Sequence, residues 1–372
     1  MLRPDFDQFA QLAREATLVP VAKSITADLA TPVSAFLALA AGEPHAFLLE
    51  SVEGGEKIGR YTFLGARPYM VMTARGQEIT LVRGRHRERR RGNVFAVLRE
   101  LLEQHRPAAV PGLPPFTAGA VGFLSYDAVR QLEKLPQRAR RDLDVPDCAL
   151  MFFDRLLAFD HLRHQIHIVA AANVKEESPQ RAYQRALADI AAIEKRLAAG
   201  ARPRDLAARR PVKGKLKVRS VTRPRDFLAA VRRIKQSIVA GDIIQAVLSP
   251  RWDFEPGVDP FHVYRALRTV NPSPYMSFLR LGDTHVLGAS PEMLVKVSGR
   301  KLEYHPIFCP RKPKKSPSCR SRARVAAAIC GESGPVAWPC SSKPERLMTS
   351  RSGAGPVPSF SLLISSRAKS SW

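Results

Sequence analysis

Residues 148–160 read CALMFFDRLLAFD, and residues 165–172 read QIHIVAAA after a short polar step. Two apolar runs of this length, the first carrying Phe152, Phe153 and Phe159 and the second Ile166, Ile168 and Val169, predict paired strands. Working outward, residues 45–51 (HAFLLES), 60–73, 77–83 and 118–126 read as further strands. Helices punctuate them. Residues 6–15 form the first, and the second begins at Pro32 behind the cap Thr31. Asn93 caps a third, with Val94, Val97, Leu98, Leu101 and Leu102 on one stripe before Pro107. Ser178 opens a long helix that runs to Leu197 and stops at Gly200.

Farther along, Thr222 and Pro224 start a helix with the stripe Phe227, Val231, Ile234 and Ile238, closed by Gly241. Residues 243–249 predict a strand, 260–270 a helix, and 277–281, 285–289 and 293–297 three more strands. Strands in meandering groups with helices between them predict an α+β fold of large antiparallel sheets and outer helices. No GxGxxG or phosphate-binding loop argues for a doubly wound parallel sheet.

The chain carries 59 Lys and Arg against 34 Asp and Glu, a formal charge of +25. Such a balance raises nucleic-acid binding, but the charge is local. From Phe308 onward there are 12 Lys and Arg against only Glu332 and Glu345. Much of the rest lies in residues 83–91 (RGRHRERRR) and 202–219 (RPRDLAARRPVKGKLKVR), read as a solvated loop and a solvated linker. No aromatic residue is interleaved with them to stack bases, so no nucleic-acid partner is expected. The absence of a long uncharged apolar run predicts no membrane span, and an acidic, non-apolar N-terminus predicts no secretory signal. A cytoplasmic protein is expected.

Cys148 stands alone before residue 308, whereas Cys309, Cys319, Cys330 and Cys340 follow it without a CxxC pair, so neither zinc nor a disulfide framework is expected. His161, His164 and His167 invite a metal reading. They flank or lie in strands, and alternation turns His164 and His167 to opposite faces. The chain divides into residues 1–200, a basic linker over 201–220, a second region over 221–307, and a Ser-, Pro- and Arg-rich tail over 308–372. That tail has no Asp or Tyr and no sustained period, a composition that predicts disorder.

Four segments stand out: Leu48-Leu49-Glu50-Ser51 with Gly59-Arg60-Tyr61-Thr62-Phe63-Leu64-Gly65; residues 119–127 (GAVGFLSYD) with Met151-Phe152-Phe153-Asp154; residues 241–249 (GDIIQAVLS); and residues 271–276 (NPSPYM) with residues 288–292 (GASPE). Read alone, residues 241–249 are a helix stop feeding a strand, and Gln245 bonds locally or near a ligand. Glu292 serves as a structural partner or a catalyst. In residues 271–276 two prolines hold the backbone extended and remove two amide donors. The segment is either a rigid turn or the wall of a site.

In this order the four segments resemble the large, chorismate-binding subunit of anthranilate synthase. Relatives that make aminodeoxychorismate usually differ at the Ser and Tyr-Met positions, and isochorismate and salicylate synthases lack the tryptophan-site residues. The resemblance implies the chorismate-utilising enzyme fold, C-terminally incomplete here. Residues 1–200 would carry the tryptophan-site strand, and 221–307 would begin the catalytic region. It implies conversion of chorismate and ammonia to anthranilate and pyruvate, with ammonia supplied from glutamine by a partner amidotransferase subunit, Mg2+ as cofactor and feedback inhibition by L-tryptophan. It places Ser51, Pro274, Tyr275 and Met276, with Glu50, Asn271 and Ser273, at the L-tryptophan site. The family's Mg2+ carboxylates, catalytic histidine and chorismate-binding Gly-Thr-Arg follow the segment matching Tyr304-His305-Pro306-Ile307. Here FCPRKPKKSPSCRSRARV follows instead, and no histidine occurs after His305. No catalytic or metal-binding residue is therefore expected, and a shifted reading frame after Ile307 accounts for the change. An inactive chain, or one retaining only tryptophan binding, is the expected outcome.

Overall fold

A computed structural model describes residues 2–51, 59–136, 141–201, 216–298 and 301–303, and as a strand residues 360–365. It is α+β, and every pair of neighbouring strands runs antiparallel. One compact unit comprises residues 1–206 and 267–367; residues 207–266 belong to a second.

The first unit holds a nine-stranded sheet in the order β1 (Leu2–Arg3), β2 (Leu18–Thr26), β11 (Gln165–Asn173), β10 (Arg155–Asp160), β4 (Tyr61–Ala66), β3 (His45–Glu50), β14 (Tyr275–Leu281), β15 (Thr284–Ser290) and β18 (Phe360–Ser365). A five-stranded sheet runs β7 (His86–Arg91), β6 (Glu78–Arg83), β5 (Met70–Arg75), β9 (Cys148–Phe153) and β8 (Gly119–Leu124). The two sheets share a core: Phe47, Leu156, Ala158, Val169 and Leu279 of the large sheet cluster with Val121, Met151 and Phe153 of the small one. Alternation sends Phe152, Leu150, Met70, Met72, Ile79 and Leu81 to the other face, where they meet Val94, Phe95, Leu98 and Leu101 of α3 (Val94–Glu103). Strand β9 is thus buried along its whole length, which explains its unbroken apolar sequence. The helices α1 (Phe6–Leu12), α2 (Pro32–Ala40) and α4 (Pro179–Ala199) pack beside the large sheet.

The caps expected at Thr31, Asn93 and Ser178 are present, whereas the helix expected to start at Thr222 and Pro224 begins behind Arg223, which makes no side-chain cap bond. Thr31 and Ser34 form a reciprocal capping box, Asn93 accepts from the amides of Phe95 and Ala96, and Ser178 accepts from Arg181. Gly241 takes φ +80 at the end of α5 (Pro224–Val239), as its C-cap role requires.

Several sequence readings are corrected. Residues 60–73 are not one strand: Arg67 at φ 58 and Pro68 break the ladder, so β4 and β5 join different sheets. Residues 148–160 likewise divide at Asp154 between the two sheets. Residues 83–91 are not a loop but mostly the edge strand β7. Residues 243–249 form no strand; no neighbouring strand satisfies their backbone among the described residues, and Ile244, Val247 and Leu248 are exposed. Of residues 293–297 only the end joins a strand, β16 (Lys296–Ser298), paired with β17 (Lys301–Glu303). Within the tail, residues 360–365 pair with β15, although the sequence reading finds no strand there. The rest of 308–372, most of the linker and residues 304–307 lie outside the described residues.

The second unit contains α5, the ribbon of β12 (Val218–Ser220) and β13 (Trp252–Phe254), and most of α6 (Pro260–Val270). The predicted stripe of α5 exists, yet none of its residues is fully buried, and Leu228 and Ile238 are exposed.

Candidate functional site

The predicted tryptophan-site residues, separated by more than two hundred positions, meet at one end of the large sheet. Strand β14 pairs with β3 in a register that sets Met276 opposite Glu50. The same register, carried one residue on, puts Tyr275 beside Ser51. Tyr275 is also opposite Ser290 on β15. Asn271 closes the last turn of α6 by donating its amide to the Leu267 carbonyl, and Pro272 to Pro274 then deliver the chain into β14. Ser273 is buried, its hydroxyl 3.5 Å from the Asn271 carbonyl.

Alternation along the strands divides these residues between two faces. Glu50 and Met276 share one, and both are buried. Tyr275 turns to the other and is 36% exposed; by the same alternation Ser51 accompanies it. The Met276 side chain is therefore part of the core, and Tyr275 is the one of the two whose side chain shares a face with Ser51.

Glu50 is held by Arg268, from the last turn of α6. The guanidinium Nε lies 2.8 Å from Oε2, and Nη2 donates to Oε1 at 3.0 Å. One charge-assisted hydrogen bond and a close charge contact of this kind compensate a carboxylate taken out of water. Continuing the β3–β4 register brings Glu50 beside Thr62, whose hydroxyl is 2.8 Å from Nε2 of His161. Burial lowers the His161 pKa, while the charges of Glu50 and Asp160 oppose the fall. On the neighbouring strand Asp160 receives Arg60 at 2.8 and 3.2 Å, and that guanidinium also lies 4.8 Å above the Tyr61 ring. Burial pushes the Asp160 carboxyl up, but the bonds from Arg60 and from the Arg163 amide outweigh it and hold its pKa below the usual range. Sequence reasoning singled out neither Arg268 nor Asp160. The only signal for Arg268 was a cation in the last turn of a helix.

The three histidines do not converge. His164 occupies a turn at φ 51, His167 is buried with Ser24 2.9 Å from its Nδ1, and His161 engages Thr62. Among the described residues no group of three His, Cys, Asp or Glu could hold a metal ion. Gln245 is exposed on the irregular 243–249 stretch, and Glu292 forms a local turn, its amide donating to the Ser290 hydroxyl at 3.4 Å. A cavity of about 980 Å³ between α1 and residues 106–111 contains none of the seven predicted residues, so size alone does not mark the site.

The sequence is 37% identical over 317 residues to anthranilate synthase component 1 of Acetivibrio thermocellus, a match covering 84% of this chain and 64% of that protein. To the component 1 of Synechocystis sp. it is 39% identical over 312 residues, covering 82% and 61%. The crystal structure of anthranilate synthase component I from Streptococcus pneumoniae superposes with a TM-score of 0.55 at 25% identity, over 74% of this chain and 59% of that one. The chain thus spans about three fifths of the length of the curated relatives it matches. No helix among the described residues is long and apolar enough to cross a membrane. A family model described as chorismate binding enzyme matches residues 44–321, three quarters of the sequence and reaching past Ile307; the chain belongs to the chorismate binding enzyme family.

Proposed function

We propose that this chain is an anthranilate synthase large subunit by descent that keeps part of an L-tryptophan site but does not turn over chorismate. The observation that carries the first half is the β3–β14 register, which joins Glu50-Ser51 to the 271–276 segment. Ser51 and the backbone at Tyr275 and Met276 would meet the polar amino-acid end and the indole. The Tyr275 ring and Pro274 supply an apolar wall. Glu50, already engaged by Arg268, acts as a positioning residue that fixes the end of β3.

The second half rests on chemistry. Chorismate is a dianion, and loss of its ring hydroxyl calls for a carboxylate-held Mg2+, a cationic cradle and a proton-transfer group. The donor set does not fit such a metal. Beyond residue 307 the sequence supplies only Glu332 and Glu345 and no histidine, and the described residues gather no ligand cluster. The relatives' name, component 1, implies a second component for them; an amidotransferase partner and a cytoplasmic setting extend to this chain by the same descent.

Titration calorimetry of the full chain with L-tryptophan is expected to show saturable single-site binding. Ser51→Ala should weaken it roughly tenfold or more, the effect of losing one hydrogen bond to a charged group. Heats indistinguishable from those of L-phenylalanine would refute the site. A second expectation concerns residues 308–372: the other two frames of the coding DNA should restore Gly-Thr-Arg directly after Pro306-Ile307. If neither frame does so, the tail is a divergent extension rather than a shifted frame.

A further inference from the structure

We propose that the outer edge of β7 is a docking edge for an extended acidic peptide segment, which adds to the five-stranded sheet as a further strand. Strand β7 ends the sheet order, and its hydrogen-bonded neighbour among the described residues is β6 alone. Its outward row of amides and carbonyls is therefore open to another chain. Successive side chains alternate in direction. Glu88 and Arg90 turn toward α3, where Arg90 is bonded to Glu88 at 2.5 Å and to Glu100 at 2.8 Å. Arg87, Arg89 and Arg91 share the opposite face and are all exposed.

Across the strand pair, Arg87 stands opposite Val82 and Arg89 opposite Thr80, while Arg91 stands opposite Glu78. Among the described residues Arg87 and Arg89 thus have no carboxylate opposite them on β6, and they stand about 7 Å apart by the strand rise. A strand added beside β7 would place its own alternate side chains within about 5.5 Å of theirs, directly opposite in the ladder. The complementary sequence is Asp or Glu at every second position, with the backbone supplying the remaining hydrogen bonds. A second copy of β7 would set arginine against arginine, so the same row disfavours self-pairing. Nucleic acid is a poorer match: residues 83–91 offer no aromatic platform, and phosphates make no use of the open ladder.

The test is fluorescence anisotropy of labelled short peptides with the full chain at low salt. A peptide alternating Glu and Thr should bind roughly tenfold tighter than a peptide of the same composition with its glutamates in one block. Arg87→Gln with Arg89→Gln, exposed changes outside the core, should remove that preference. Methylating alternate backbone nitrogens of the alternating peptide should also abolish it. Equal binding of the two peptides, indifference to methylation, or tighter binding of single-stranded DNA would each overturn strand addition.

Discussion

Arg268→Ala is expected to destabilise the first unit by about 3 kcal/mol, the lower part of the range for orphaning one partner of a buried ion pair. The lower end applies because the Arg268 side chain is 30% exposed, whereas that of Glu50 is 3% exposed and would be left charged in the sheet. Urea unfolding of Arg268→Ala, of Glu50→Gln and of Glu50→Gln/Arg268→Ala resolves this. The double variant should recover much of the loss, since no charge is then stranded. If Arg268→Ala unfolds at the parent urea midpoint, the pair does not hold β3 against α6. The same variant should weaken L-tryptophan binding, because Ser51 follows Glu50 directly at the end of that strand.

A larger loss is expected from Gly122→Ala. A Cβ built at Gly122 in β8 would collide with the Ala149 carbonyl oxygen and lie 2.8 Å from the Leu150 Cα and 2.9 Å from the Ala149 carbonyl carbon. All three are backbone atoms of the interior strand β9, which is paired on both sides, with β5 and β8. No rotamer change relieves the contact, so the β8–β9 ladder must separate. The expected cost is about 3 kcal/mol or more, at the upper end of overpacking effects. Thermal melting should fall by roughly 6 °C or more. Gly65→Ala makes a useful comparison, since its first obstacle, at 2.6 Å, is the edge of the Phe47 ring, a side chain. Equal melting temperatures for Gly122→Ala and the parent would show that β8 does not approach β9 so closely.

The legible parts of this fold are those set by local chemistry. Thr31, Asn93 and Ser178 announced their helices because a side-chain oxygen satisfies amides within the same turn. Strands with one half-buried face, such as β6, announced themselves by alternation. What failed depended on distant partners. In residues 148–160 the one local sign that the chain changes sheets is the charged step Asp154-Arg155, and the apolar runs on either side of it read together as a single strand. Residues 243–249 have the composition of a strand, but a strand needs a neighbour, and the described residues provide none. The arginines of β7 suggested a solvated loop, since an edge strand may carry charge along its whole length.

The candidate site shows the same division. Residues 271–276 were recognisable from their prolines as a rigid segment, and resemblance linked them to Ser51. Their meeting through the β3–β14 register, and the assignment of Glu50 and Met276 to the face away from Tyr275, could be read only from the fold. Arg268 was invisible as a site residue because one arginine among many in a basic chain carries no mark of its partner.

The decisive assay is formation of fluorescent anthranilate by the purified full chain supplied with chorismate, ammonium and Mg2+. No product is expected above the uncatalysed background at any concentration of the chain. A rate proportional to the amount of this polypeptide would contradict it, and would mean that residues 308–372 supply chemistry their composition does not suggest.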